Sequence, residues 1–173
     1  MSDQVTTETM PDVRKAVEAV LAHIERERER EIVSRRFGLY DRKETLEQIG
    51  ELLGITRERV RQLEKAILIR LKIAAEEGQK DVAEIEKVLV RHLSEMGNAA
   101  RLSDLANAVK PSADERLKAQ VGFIAELAPR LTTLDENDRY FQGVALTDSF
   151  ADEKKMKKAV DDIVKTIKEY GSA

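Results

Sequence analysis

The 173-residue sequence predicts a mainly α protein built from two small helical modules. Apolar residues recur at three- and four-residue steps through most of the chain, which is the period of one buried helix face. Charged residues make up 36% and aromatic residues only 4%, a balance that suits aliphatic helical cores; at 42% hydrophobic the chain is too apolar to be wholly disordered. Strand-like patterning is confined to residues 131–134 and 139–146, either side of a polar turn at residues 135–138. No apolar run approaches the ~18 residues that cross a bilayer, so no membrane segment is expected. The opening residues, MSDQVTTETMPD, lack a basic stretch leading into an apolar one, so no secretory signal is expected. The sequence has no cysteine, which excludes disulfides and thiolate–metal sites and agrees with a cytoplasmic location.

Each element has its own signal. Val13, Val17, Val20, Leu21 and Ile24 form a helical stripe over residues 11–24, and its heptad-like spacing permits a homodimer. The charge-alternating run of residues 25–31 reads as a solvated helix face continuous with that first helix. Ile32, Val33 and Phe37 supply a buried edge, and residues 38–44 read as a polar loop. Thr45 opens the next helix, with Gln48 as its capping-box partner. Thr56 caps the following helix, which runs through Ile67, Leu71 and Ala74 to end near Gly78. A polar linker at residues 76–80 sets the domain boundary, giving modules 1–78 and 79–173.

In the second module Asp81 and Glu84 predict a capped helix carrying Val82, Ile85, Leu89, Leu93 and Met96, stopped by Gly97 and Asn98. Ser103 is expected to cap a short helix with Leu105 and Val109 that ends at Pro111. Ser112 with Glu115 is expected to cap a third, with Leu117, Val121, Ile124 and Leu127 inside and Pro129 beyond its end. Three helices followed by a β-hairpin describe a winged helix. Ser149 then caps a terminal helix with Met156, Val160, Ile163, Ile167 and Tyr170 on one face. Lys154, Lys155, Lys157 and Lys158 are interrupted by Asp152, Glu153, Asp161 and Asp162, so they read as a solvated face.

The most informative stretch is LEQIGELLGITRERVRQLEK, residues 46–65. Gly50 sits where two helices must approach closely, and Gly54 where the turn between them needs positive φ. Ile49, Leu53, Ile55, Val60 and Leu63 fall on the shared face of a helix-turn-helix. Arg57, Glu58, Arg61 and Gln62 are left on the outer side of the second helix, because three- and four-residue steps return to one face. Arg, Glu and Gln on the N-terminal half of such a helix are side chains able to read guanine, cytosine and adenine edges in the major groove. The charge distribution agrees. The net charge is −3, but residues 26–72 hold 13 basic and 9 acidic residues, the one positive block of the chain.

These residues carry a resemblance. RERE-IVSRRFGLY (residues 28–40), TLEQIGELLGITRERVRQLEKA (residues 45–66) and the tail ILIRLK resemble region 4 of primary sigma factors, the domain that recognises the promoter minus-35 element. The resemblance implies that Arg57, Glu58 and Gln62 contact bases, with Arg61 and Arg59 at or near the phosphates. Arg36, Thr45, Leu46 and Glu47 would touch the DNA backbone. It also implies an RNA polymerase partner, whose β flap would be met by Ile32, Val33 and Phe37. Two departures stand out. The family breaks the chain just before the Arg-Glu pair, where this sequence reads as continuous helix. Nothing upstream resembles the regions that bind core polymerase most tightly and melt the promoter, so this chain is not expected to act as a complete sigma factor.

Residues 102–146, especially FIAELAPRLTTLDENDRYF, resemble the winged helix at the N-terminus of the polymerase delta subunit. Its third helix offers Arg116 and Lys118 against Asp114, Glu115 and Glu126, and its wing tip is acidic, which favours a protein-facing role. Tyr140 and Phe141 read as one inward and one outward wing residue. No P-loop or nucleophile elbow is present, Asp135, Asn137 and Asp138 lack calcium-loop spacing, and His23 and His92 lie in separate apolar-periodic helices. An enzyme is not expected, nor a cofactor. The expected function is a transcription regulator that associates with bacterial RNA polymerase and reads promoter DNA. The alternatives are a polymerase- or sigma-binding protein without base readout, and one half of a split sigma factor.

Overall fold

A computed structural model describes residues 12–134 and 142–147. Among them are seven helices and three short strands: α1 (Val13–Ala22), α2 (Glu27–Phe37), α3 (Leu46–Leu53), α4 (Arg57–Glu76), α5 (Lys80–Glu95), β1 (Ala99–Arg101), α6 (Leu102–Val109), α7 (Glu115–Leu127), β2 (Leu131–Leu134) and β3 (Gly143–Leu146). The fold is mainly α, a helix-turn-helix bundle joined to a winged arrangement of three helices and a small sheet. The expected turn at residues 135–138, Tyr140 and Phe141, and the terminal helix with its lysines lie outside the described residues.

The first helix ends sooner than its charge run suggested. His23 terminates α1 and Arg26, in an extended conformation, precedes α2, so residues 25–31 do not continue the first helix. The break lets α1 turn its stripe away from α2. Val13, Ala16, Val17, Val20 and Leu21 are buried, and α1 packs on α5 and α7. The apolar face that permitted a homodimer is thereby consumed within the chain. Nor is the charge run wholly solvated. Glu29 is buried, and its carboxylate accepts two hydrogen bonds from Arg70 of α4 at 2.9 and 2.8 Å.

The strand β1 was not evident in the sequence. It pairs antiparallel with β3, which also pairs with β2, giving the order β1-β3-β2. The pairing moves the start of α6: Leu102 donates its N–H to the Gln142 carbonyl, and α6 begins there instead of after a Ser103 cap. Two other caps also shift. Asp114, not Ser112, accepts the Leu117 N–H at 2.8 Å to open α7, and Gln79, not Asp81, caps α5.

One apolar core runs through α1, α2, α4, α5, α6, α7 and the sheet, passing across the turn at residues 77–79. Phe37 of α2 meets Phe123 of α7 edge to face, with ring centroids 5.0 Å apart. Gln120, buried in α7, donates to the Leu39 carbonyl at 2.9 Å, and Lys72 of α4 pairs with Glu126 of α7 at 2.9 Å. A second, small cluster of Ile32, Ile49 and Val60 holds α3 and the first half of α4 onto α2.

Candidate nucleic-acid interface

The crossing of α3 and α4 is fixed by local chemistry. The Thr45 hydroxyl accepts the Gln48 N–H at 3.1 Å while Gln48 Oε1 accepts the Thr45 N–H at 2.9 Å, completing a capping box. Gly50 lies so close to the start of α4 that a Cβ there would stand 2.7 Å from the Ile55 carbonyl oxygen. Gly54 ends α3 at φ 70°, a left-handed conformation that costs a side-chain-bearing residue strain. Thr56 then accepts the Arg59 N–H at 3.1 Å and opens α4. Ile49 and Val60 are fully buried, with Leu46, Leu53, Ile55 and Leu63 partly buried around them. That is the shared face expected from the sequence.

Arg57, Glu58, Arg59, Arg61 and Gln62 are all exposed on the first turns of α4. At rest two pairs form among them. Arg61 Nη2 lies 2.6 Å from Glu58 Oε1, and Arg61 Nε also reaches both carboxylate oxygens. Hydrogen bonds from Arg61 hold the Glu58 carboxyl below the usual glutamate range, and the same contact raises the Arg61 guanidinium. Arg59 Nη1 approaches Gln62 Oε1 at 3.5 Å, at the limit of a hydrogen bond. Arg57 makes no side-chain hydrogen bond or ion pair among the described residues, and its charge adds to the lowering of Glu58. Both contacts, the Glu58–Arg61 ion pair and the Arg59–Gln62 hydrogen bond, sit in open water, where they are weakly held and exchange readily for a better partner. The face therefore presents forked donors, a carboxylate acceptor and an amide that does both.

The N-terminus of α3 lies beside this face. The Leu46 and Glu47 amides have no acceptor among the described residues, as expected for a first helical turn. An anion is favoured there by both the free N–H groups and the helix dipole. Leu46 tucks its side chain against the small cluster, leaving its backbone for such a contact, and Glu47 is exposed. Arg36 is placed at the same edge but is already engaged. Its Nε pairs with Glu64 of α4 at 3.2 Å and its Nη1 reaches the Glu44 carbonyl at 3.4 Å, with about a third of the side chain exposed.

The residues expected to meet a polymerase flap are placed differently. Ile32 and Val33 are both 0% exposed, one in the small cluster and one in the main core. Phe37 is partly buried against Phe123. The buried edge is covered from two sides, Ile32 by Ile49 and Val60 of the first module and Phe37 by Phe123 of the second, and the local sequence of α2 does not reveal these partners. His23 is exposed and His92 partly buried on separate helices. Sequence reasoning also missed the charged braces of this region. Glu64 on Arg36 and Arg70 on Glu29 fix α2 against α4, Arg35 ties α2 to Glu44 of the following loop at 2.8 Å, and Arg35 and Glu31 pair within α2 at 2.7 Å. The Glu31–Arg35 pair is readable from four-residue spacing; the others span 9 to 41 residues and have no local signature.

Fold and face together define a helix-turn-helix of the kind that presents its second helix outward. In keeping with this, residues 26–72 match the family model of sigma-70, region 4. Similar curated proteins are the RNA polymerase sigma factor RpoD of Helicobacter pylori, 43% identical over 63 residues (35% of this chain, 9% of that protein), and the RNA polymerase sigma factor SigA1 of Synechococcus elongatus, 44% identical over 61 residues (35% and 15%). The RNA polymerase sigma factor sigB of Arabidopsis thaliana is 48% identical over 46 residues (26% and 8%). The chain thus spans at most 15% of the length of these relatives. No solved structure matches the chain.

Proposed function

We propose that the chain is a DNA-binding transcription regulator that works with bacterial RNA polymerase and reads promoter DNA with the first half of α4. The observation that carries this reading is the exposure of Arg57, Glu58, Arg61 and Gln62 together on the start of a helix whose opposite side is fixed by Ile49 and Val60. Arg57 and Gln62 would take guanine and adenine edges, and Glu58 would accept from cytosine. Arg61 and Arg59 would lie at the rim of the groove. The amides of Leu46 and Glu47, the Thr45 cap and Arg36 would hold the flanking backbone. The modules 1–78 and 79–173 serve this reading as the DNA-facing and the supporting unit.

Polymerase enters because the relatives of residues 26–72 are sigma factors. With Ile32, Val33 and Phe37 enclosed, a polymerase contact would use exposed side chains instead. The test compares Arg57→Ala with Arg36→Ala on a cognate duplex and on its scrambled counterpart. Arg57→Ala should lose about 1–3 kcal/mol on the cognate duplex and little on the scrambled one, whereas Arg36→Ala should weaken both alike. Equal losses on both duplexes for both variants contradict base reading. Co-purification with polymerase without any footprint on DNA would instead favour a purely protein-binding role.

A further inference from the structure

Beside the helix-turn-helix a cleft of about 770 Å³ opens between the α2–α3 loop and the N-terminal half of α7. Arg42 and Lys43 line it from the loop, and Arg116 and Lys118 from α7. None of these four cations has a side-chain hydrogen bond or ion pair among the described residues. Elsewhere in the first module Arg35, Arg36, Arg61 and Arg70 are each paired with a carboxylate, while Arg57 and Arg59 on the start of α4 are not. The lining sets these four cations against three carboxylates, Asp41, Asp114 and Glu115, so the cleft is net positive and an anion placed between the cations is favoured. Asp114 accepts the Leu117 amide in capping α7 and Asp41 accepts the Arg42 amide at 2.8 Å, and neither holds the four cationic side chains by a hydrogen bond.

We infer that Arg42, Lys43, Arg116 and Lys118 form a phosphate-binding cleft that carries the DNA contact beyond the helix-turn-helix, along the backbone flanking the read site. The inference rests on the DNA-binding reading above and gives the second module a part in it. Lys43 stands two residues before the Thr45 cap, so its Cα is within about 7.6 Å of the α3 N-terminus. A strand advances about 3.4 Å along the duplex axis per phosphate, and one seated there and running toward the loop would bring its next phosphates to the loop and then to the α7 side of the cleft. The two sides do not drift apart. The Phe37–Phe123 contact, the Gln120 bond to the Leu39 carbonyl and the Lys72–Glu126 pair fasten α7 to the first module. Preformed spacing spares the ordering cost that flexible side chains and linkers incur on binding. The contact carries no sequence information, because Arg116 and Lys118 would meet phosphates and not base edges.

The test measures affinity against salt concentration for the full chain on two duplexes, cognate and scrambled, each overrunning the read site by one helical turn. Arg116→Ala/Lys118→Ala and Arg42→Ala/Lys43→Ala are compared with Lys87→Ala/Arg91→Ala, an equal charge change on exposed positions of α5. Each cleft pair should lower the slope of log K against log salt by about 2 on both duplexes, at about 0.9 per phosphate lost, while the α5 pair leaves it unchanged. A thermal melt of each variant separates loss of contact from loss of fold. An unchanged slope in the cleft variants, an equal fall in the α5 pair, or loss of polymerase co-purification in place of the slope change overturns the inference; so does a wild-type chain with no measurable affinity for either duplex. If wild type discriminates cognate from scrambled DNA while the cleft variants keep its slope, the cleft alone fails. A lowered slope without discrimination removes base reading and leaves the cleft standing.

Discussion

The helices α4 and α7 close their respective three-helix motifs in the same way, yet their surfaces have opposite fates. Over its first turns α4 buries only Val60 and leaves two arginine-rich flanks, a glutamate and a glutamine in water. Along α7, residues 120–125 and Leu127 are all buried, because α1, α2, α4, α5 and α6 surround it. The difference lies in what anchors each helix. α4 is 20 residues long and sends its second half, with Ile67, Leu71 and Ala75, into the main core, so its first half can project with only the three-residue cluster beneath it. α7 has 13 residues and buries seven of them, all from Gln120 onward, as the hub joining the modules. A reading helix needs length beyond its anchor; α4 has it and α7 does not.

The largest test of this contrast is Phe123→Ala. Removing a fully buried aromatic from the hub should cost about 3–5 kcal/mol of stability and lower the melting temperature of the whole chain in one transition. If only the second module melted early, the two would not share the core described above. Gly50→Ala acts on the other helix. The new Cβ would press on the Ile55 carbonyl and force α3 and α4 apart, an overpacking cost of about 1–3 kcal/mol. DNA affinity should fall while hydrogen exchange in α5 and α7 stays protected; uniform loss of protection would mean that the reading unit is not carried as a satellite. The smallest effect concerns Glu58. Its carboxyl is depressed by Arg61, so the pairing is present above the ordinary glutamate range and is lost only as pH falls through the lowered value. A carboxyl-detected NMR titration should place the Glu58 midpoint below that range, and Arg61→Ala should bring it back up. No movement in the variant would remove Arg61 as the cause.

What was legible in the sequence follows the same divide. Capping box, helix-breaking glycine and helix-contact glycine are local signals, so Thr45, Gln48, Gly50, Gly54 and Thr56 could be read directly and with them the geometry of α3 and α4. The periodicity of α1 and α2 revealed which faces are buried but not what buries them. Phe37 meets Phe123, far along the sequence in α7, and Gln120 answers Leu39 across 81 residues. Caps in the second module were misplaced by two residues because Ser112 and Asp114 are both good cap types, and the Leu102 bond to Gln142, a tertiary contact, set the start of α6. β1 is three residues of Ala-Ala-Arg, without the β-branched or aromatic composition that marks strands; its pairing with β3 makes it one.

The claim at the centre is that the exposed start of α4 reads bases. In vitro selection from random-sequence duplexes, run in parallel with wild type and Glu58→Ala, addresses it most directly. The wild-type chain should enrich one motif, and the variant should relax the preference at a single position of that motif, the base pair whose cytosine Glu58 contacts. No enriched motif, or the same motif at every position in the variant, would contradict it.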